Sequence, residues 1–388
     1  MTNFDKEYLE LVKRILKEGI EVENRTGINT IKIPKHIFEF DLSKEFPILQ
    51  TKDVAWKSAI IEMFWIWQMA SNKVTDLHER GVHIWDEWMI DKDGIYRIYE
   101  PDGKCDYDPN KEVVVLDPLS TPIDDVLGVR HKLKPKYDDK GNIMTAKSII
   151  EGKTIKTAKY YGKDLAETIG KAYGWYVDRY GMMKNTQYQL KNNPYDRKIV
   201  NNLWQLEFFR EAVLPSCVYG SSWDVTNGKL NLIVDQRSCD VPVGLPFNVT
   251  QYATLLKMLA QVTNLEPGRM LYIIKDAHIY VNQLEGIEEL QRREQKYYEL
   301  SKESSVNLYY EKKRLEQQLK LFSKESKEYK QIDSNIRIID LILEPTIPEL
   351  ELDPSIDDIF NFDNSKELKH SRVKNYKHMG RIKFPVAQ

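Results

Sequence analysis

Cysteine is scarce in this 388-residue chain: there are three, Cys105, Cys217 and Cys239. An odd number without close spacing argues against a disulfide framework and against a cysteine-based zinc site, so no metal is expected. Excess positive charge is missing too. Lys+Arg 57 against Asp+Glu 59 leaves a net charge of −2, so no global field points to nucleic acid or to a membrane surface. Phosphate recognition must then come from a local basic cluster. No apolar run approaches the roughly 18 residues needed to span a bilayer. The opening residues, MTNFDKEYLELVKRIL, mix acids with bases and hold no apolar stretch, so they do not read as a signal peptide. No internal repeat and no flavin-binding pattern is visible. These absences predict a soluble protein of a reducing cytoplasm that requires neither membrane nor nucleic acid.

What is present is a chain rich enough in apolar and aromatic residues to build a core, 41% and 11%. The length exceeds one average domain, but one large domain with insertions accommodates it. Residues 4–17 predict an amphipathic helix with Phe4, Leu9, Val12, Ile15 and Leu16 near one face and Gly19 as a stop. Residues 29–40 alternate like a strand. Residues 58–69 and 247–260 read as buried helices, 230–234 and 270–274 as interior strands. Helices and strands mix without regular βαβ alternation, which predicts an α+β fold. Two stretches differ. Residues 91–167 are polar and carry the turn signals DKDG, PDGK and DDKGN. Residues 295–343 form a charged helical tract, where Leu308, Leu315, Leu319 and Phe322 make one stripe and Ile332, Ile336, Ile339 and Leu343 another. Two antiparallel helices would pair these stripes, with a self-packed insertion favoured over a partner-binding arm.

The chemistry-bearing residues gather around LPSC, which ends at Cys217, and DQRSCDVPVGLPFN, residues 235–248. Arg237 offers a fork of donors suited to phosphate, with Asp240 beside it. Gly244 allows close approach to the backbone. Asn248 carries a donor and an acceptor, enough to read a base edge. In KDAHIYVN, His278 and Tyr280 fall on one strand face as hydroxyl readers. Glu62 sits inside the apolar run 59–67, a costly place for a carboxylate without a partner.

In order along the chain, NRTG, FPILQTK, EMFW, HIWDEW, GKAYG, NPYDRK, LPSC, QRSCD, GLPFN, DAHIY and a terminal KFPVAQ resemble thymidylate synthase and its pyrimidine hydroxymethylase relatives. The resemblance implies one catalytic domain over residues 1–388, a large mixed sheet flanked by helices, with 91–167 and 295–343 as insertions. It implies dUMP and 5,10-methylenetetrahydrofolate as substrates. Cys217, as thiolate, adds to C6 of the pyrimidine; a free thiol near pKa 8.5 needs a neighbouring cation, and Arg237 is the candidate. C5 then attacks the folate methylene. Glu62 moves protons, and Tyr173 matches a tyrosine near the nucleophile. Arg25, Arg197, Lys198, Arg237 and Ser238 match the phosphate site, with Arg197 and Lys198 supplied by a second subunit, so a homodimer is implied. His278 and Tyr280 match positions touching the ribose hydroxyl. Asp240, Trp85, Trp88 and Gly244 match the folate side, and Gln388 ends the lid that folds over it. Asn248, where cytosine-specific relatives carry aspartate, implies dUMP rather than dCMP.

One departure from the family pattern lies at the phosphate site, and the others cluster near the last step. Lys198 stands where a second arginine is usual, and keeps charge without the bidentate fork. Val218 follows the nucleophile in place of histidine. Ser221, Ser222 and Trp223 replace a glutamine and a phenylalanine, Met69–Ala70 replaces a Gly-Asp pair, and Gln388 replaces an apolar terminus. A hydride from tetrahydrofolate would give thymidylate and dihydrofolate; water would give 5-hydroxymethyl-dUMP. Lost polar order beside O4 and a polar lid favour hydration, so the expectation is a dUMP hydroxymethylase of a divergent, DNA-modifying branch, such as viruses encode and which would then act in the host cytoplasm. Thymidylate synthase proper is the alternative, and a non-catalytic nucleotide- or RNA-binding member the remote one.

Overall fold

A computed structural model describes all residues except 25, 100–111, 121–132, 148, 151–152 and 387–388. Its contacts divide the chain into two units. Among the described residues the first holds Met1–Ile60, Gln187–Val200 and Gly220–Val386; the second holds Ile61–Thr186 and Asn201–Tyr219. The α+β expectation holds.

In the first unit the helix Asn3–Glu18 starts on a capping box between Thr2 and Asp5 and buries Phe4, Tyr8, Leu9, Leu11, Val12 and Ile15. It stops at Gly19, where a Cβ would meet the Ile15 carbonyl oxygen at 2.3 Å. Asp5 is itself buried, and the amide N–H groups of Gln50 and Thr51 both donate to it at 2.9 Å, which fixes the FPILQTK segment. The sheet runs Ile20–Val22, Thr30–Asp41, Glu266–Tyr280, Lys229–Gln236, Val218–Thr226, Val200–Asn202 from edge to edge. Glu266–Tyr280 lies antiparallel to Thr30–Asp41, with Tyr272 opposite Phe38, and parallel to Lys229–Gln236. Both strands bury alternate side chains, Leu230, Leu232 and Val234 in one and Met270, Tyr272 and Ile274 in the other, which is why 230–234 and 270–274 were legible. The buried helix Gly244–Val262 packs on Glu266–Tyr280 and Lys229–Gln236.

The charged tract is three helices, Leu284–Leu300, Ser305–Leu319 and Lys327–Leu343, the last two capped by Ser304 and Ser326. Leu308, Leu315, Ile336 and Ile339 bury together, with Leu319, Ile332 and Leu343 against them. Phe322 is the exception: it lies past the helix end and stays exposed.

In the second unit the helix Trp56–Met63, entering at Ile61, widens into a π-helical turn Phe64–Gln68 that is wholly buried. The polar stretch 91–167 hides a small sheet ordered Ile95–Tyr99, Lys153–Tyr160, Glu112–Asp117, Lys134–Pro135. Among the described residues its core holds Ile95, Val115, Ile155 and Ala158, with partly buried neighbours.

Candidate active site

The second unit assembles five of the expected side chains. Cys217 sits half-buried just before the strand Val218–Thr226, and its backbone N–H donates to the Tyr173 hydroxyl at 2.8 Å. Tyr173 holds a positive φ of 47°, unusual for a bulky residue. The following Gly174 explains the tight path, because a Cβ there would lie 1.9 Å from the Ser71 carbonyl oxygen. The Tyr173 ring meets Trp85 edge-on at 5.5 Å, and Trp85 meets Trp88 in the same way at 5.5 Å. Trp85 then donates its indole N–H to Glu62 at 2.6 Å. Glu62 is 7% exposed. Its burial is offset by this charge-assisted bond, so the carboxylate is neither stray nor on a surface. Neither Cys217 nor Cys239 forms a disulfide, and Val218, next to the thiol, is buried.

In the first unit the strand Lys229–Gln236 ends in the turn that presents half-buried Arg237 and Ser238. The chain re-enters the sheet at Cys239–Asp240, parallel to Ala277–His278, which sets Asp240 opposite His278. The rings of His278 and Tyr280 touch edge-on at 5.2 Å, as their spacing on one strand face requires. Asp276, at 3.1 Å, orients the His278 ring at Nδ1. Burial alone would raise Asp276, but hydrogen bonds from His278 and Lys32 hold it down at about 2. Asn248 lies in the first turns of Gly244–Val262. Its Oδ1 accepts from Gln236 at 3.3 Å and its Nδ2 donates to Gln251 at 3.2 Å, so the two ends of the amide are distinguished. Gln236 is locked in turn by the Tyr272 hydroxyl at 2.7 Å. A Cβ at Gly244 would stand 3.5 Å from Asn248 Oδ1, an ordinary contact, so the protein's own packing does not demand glycine there.

Two residues of this unit escaped sequence reasoning. Lys52, the last residue of FPILQTK, is buried; its ammonium donates to the Pro242 carbonyl and lies 4.9 Å from the Phe384 ring centroid. Burial pulls it down to about 8, against the opposing pull of Asp240 and Asp53. Gln283 is buried too. It donates to Asp240 at 3.0 Å and to the Pro385 carbonyl at 3.1 Å, while its Oε1 accepts from the Tyr280 N–H. It thus ties the Asp240 carboxylate to the C-terminal segment. Burial raises Asp240, and the Gln283 donor works against the rise.

Of the expected phosphate residues, Arg197 and Lys198 lie exposed in the loop after Met182–Asn192. The Lys198 ammonium lies 3.5 Å from the Asp196 carboxylate. Arg25 and Gln388 lie outside the described residues.

The family model described as thymidylate synthase matches residues 6–388. The chain belongs to the thymidylate synthase family. A thymidylate synthase of Clostridium beijerinckii is 35% identical over 298 residues, covering 76% of this chain and 85% of that protein. One from Bacillus phage phi3T is 32% identical over 314 residues, covering 76% and 86%. The solved structure of thermostable thymidylate synthase A from Bacillus subtilis superposes with a TM-score of 0.62 at 27% identity, covering 100% of both chains. Members of the thymidylate synthase family are one-carbon transferases that use methylenetetrahydrofolate as co-substrate. The relatives' names favour the reductive outcome over the hydrating one placed first from sequence. Among the described residues no helix is long and apolar enough to cross a membrane.

Proposed function

We propose that the protein converts dUMP and 5,10-methylenetetrahydrofolate to thymidylate and dihydrofolate. The observation that carries this reading is the continuous run Cys217–Tyr173–Trp85–Glu62, which sets a half-exposed thiol and a buried carboxylate at the two ends of one aromatic wall. In this reading the Cys217 sulfur bonds to C6 of the uracil, and C5 becomes the nucleophile that takes the folate methylene. Loss of the C5 proton expels tetrahydrofolate and leaves an exocyclic methylene. Hydride from the tetrahydropterin reduces that methylene, the thiolate departs from C6, and the folate leaves as dihydrofolate. Glu62 serves the proton transfers. Asn248 reads the base, with His278 and Tyr280 at the ribose, and Arg25, Arg237 and Ser238 at the phosphate. Asp240 and Trp88 face the pterin. Exposed Arg197 and Lys198 complete the phosphate site of a second copy, making a homodimer.

Incubation with both substrates tests this directly. Dihydrofolate should appear one for one with nucleotide consumed, and Cys217→Ser should abolish turnover. Retained turnover in that variant removes the nucleophile from the scheme. A second reading, hydration to 5-hydroxymethyl-dUMP, draws on buried Val218, which supplies neither donor nor acceptor beside the thiol. Its signature is a product one oxygen heavier than thymidylate, formed without dihydrofolate.

A further inference from the structure

We propose that His78, His83 and Asp86 form a binding site for one divalent transition-metal ion of the zinc type, separate from the residues assigned to the reaction. The Asp86 carboxylate lies between two imidazoles. Its Oδ1 is 2.6 Å from His78 Nε2 and its Oδ2 is 3.1 Å from His83 Nδ1. The two rings stack at 4.8 Å with 27° between their planes. One donor atom from each of the three residues lies within 4.8 Å of the others.

Two neutral imidazoles and one carboxylate suit zinc, cobalt or nickel rather than magnesium or calcium, which prefer all-oxygen shells. Zinc binds such atoms at about 2.0–2.2 Å, so donors around one ion stand roughly 3–3.5 Å apart. The three donors here lie within 4.8 Å of one another, so closing on an ion requires the exposed His83 side chain to move. The backbone is already set. His78 ends the helix Val74–His78, and Asp86 opens the short 3-10 turn Asp86–Trp88 directly after buried Trp85. Three protein ligands on an accessible face leave the remaining positions to water, the pattern of an open site. Sequence reading expected no metal because it searched for cysteine spacing. Two histidines five residues apart become a pair only when the helix end folds back.

Metal binding is measured on the protein without dUMP or folate, so its outcome is independent of the proposed reaction. Chelator-treated protein is titrated with zinc chloride by calorimetry and with cobalt chloride by visible absorption, with magnesium chloride as control. One equivalent of zinc should bind, cobalt should develop the bands of a low-symmetry site, and magnesium should give nothing. Trp85 and Trp88 fluorescence should change in step with zinc. His83→Ala, at a side chain 63% exposed, should weaken zinc by about tenfold or more. Asp86→Asn should do likewise, with circular dichroism confirming that both variants fold. Absence of saturable zinc binding, or binding unchanged in both variants, overturns the proposal.

Discussion

The indole N–H of Trp85 donates to the Glu62 carboxylate at 2.6 Å, and both side chains are buried. Replacing the indole by phenyl keeps an aromatic wall but leaves the carboxylate one donor short. Trp85→Phe should therefore lower stability by about 1.5–3 kcal/mol, the usual range for a hydrogen bond to a charged group. Turnover should fall roughly ten- to a hundredfold if, as proposed, Glu62 serves the proton transfers, which depend on where it points. Urea unfolding and steady-state kinetics read the two effects separately; an unchanged turnover would separate Glu62 from the chemistry.

Lys52 makes stability depend on pH in a direction opposite to a paired lysine. Its folded pKa, about 8, lies below the ordinary 10.5. Below pH 8 both states carry the proton and the burial penalty is fully present. Between 8 and 10.5 the unfolded chain binds more protons than the folded one, so stability rises with pH; above 10.5 the penalty is gone. The full swing is about 3 kcal/mol. The difference between wild-type and Lys52→Met unfolding free energies, measured from pH 7 to 10, should carry this slope. A flat difference would show that Lys52 titrates normally.

Much of the fold was readable because local pattern and tertiary burial agree. The helix read over 4–17 is found as Asn3–Glu18 and the strand read over 29–40 as Thr30–Asp41, whose inside–outside alternation is clear over Ile37–Phe40. The small sheet within 91–167 was not readable, because its strands are short and half polar and its core, among the described residues, has four buried side chains. Cys217, Glu62 and Asn248 announced themselves by local context. Lys52 and Gln283 did not, because their roles are set by partners 190 and 102 positions away, Pro242 and Pro385. The positive φ of Tyr173, beside the close approach of Ser71 to Gly174, likewise has no local signature in the sequence.

Exposed Arg197 and Lys198 predict a shared phosphate site. If the proposed site is shared, each pocket of a two-fold dimer would borrow these residues from its partner. Cys217→Ser and Arg197→Ala should each be severely impaired alone. Mixed one to one and allowed to exchange subunits, they should recover about a quarter of wild-type activity, because half the dimers then hold one intact site. No recovery after proven exchange would place Arg197 in its own subunit's pocket or outside the site.

Asn248 has its oxygen toward Gln236 and its amide nitrogen toward Gln251. Aspartate at this position loses the donor that a uracil O4 requires and, as an acid, suits the cytosine edge. Asn248→Asp should cut kcat/KM for dUMP roughly ten- to a hundredfold, the cost of leaving one buried polar group unmatched. Turnover of dCMP should rise. Competition between the two nucleotides checks it, and an unchanged preference would mean that the base is read elsewhere.

Reduction and hydration can be separated at the C-terminal segment. Phe384 packs so tightly on Gly286 that a Cβ there would meet the ring at 2.4 Å, while Gln283 holds the Pro385 carbonyl. Gly286→Ala should push the ring aside with little effect on the helix, since alanine is the better helix former. Gln283→Leu removes the tether by a different route. Both should raise KM for methylenetetrahydrofolate more than KM for dUMP. If a closed segment keeps water from the exocyclic methylene, both should also lower dihydrofolate formed per nucleotide consumed below one. A ratio that stays at one while folate KM rises would show that the segment binds the cofactor without choosing between hydride and water.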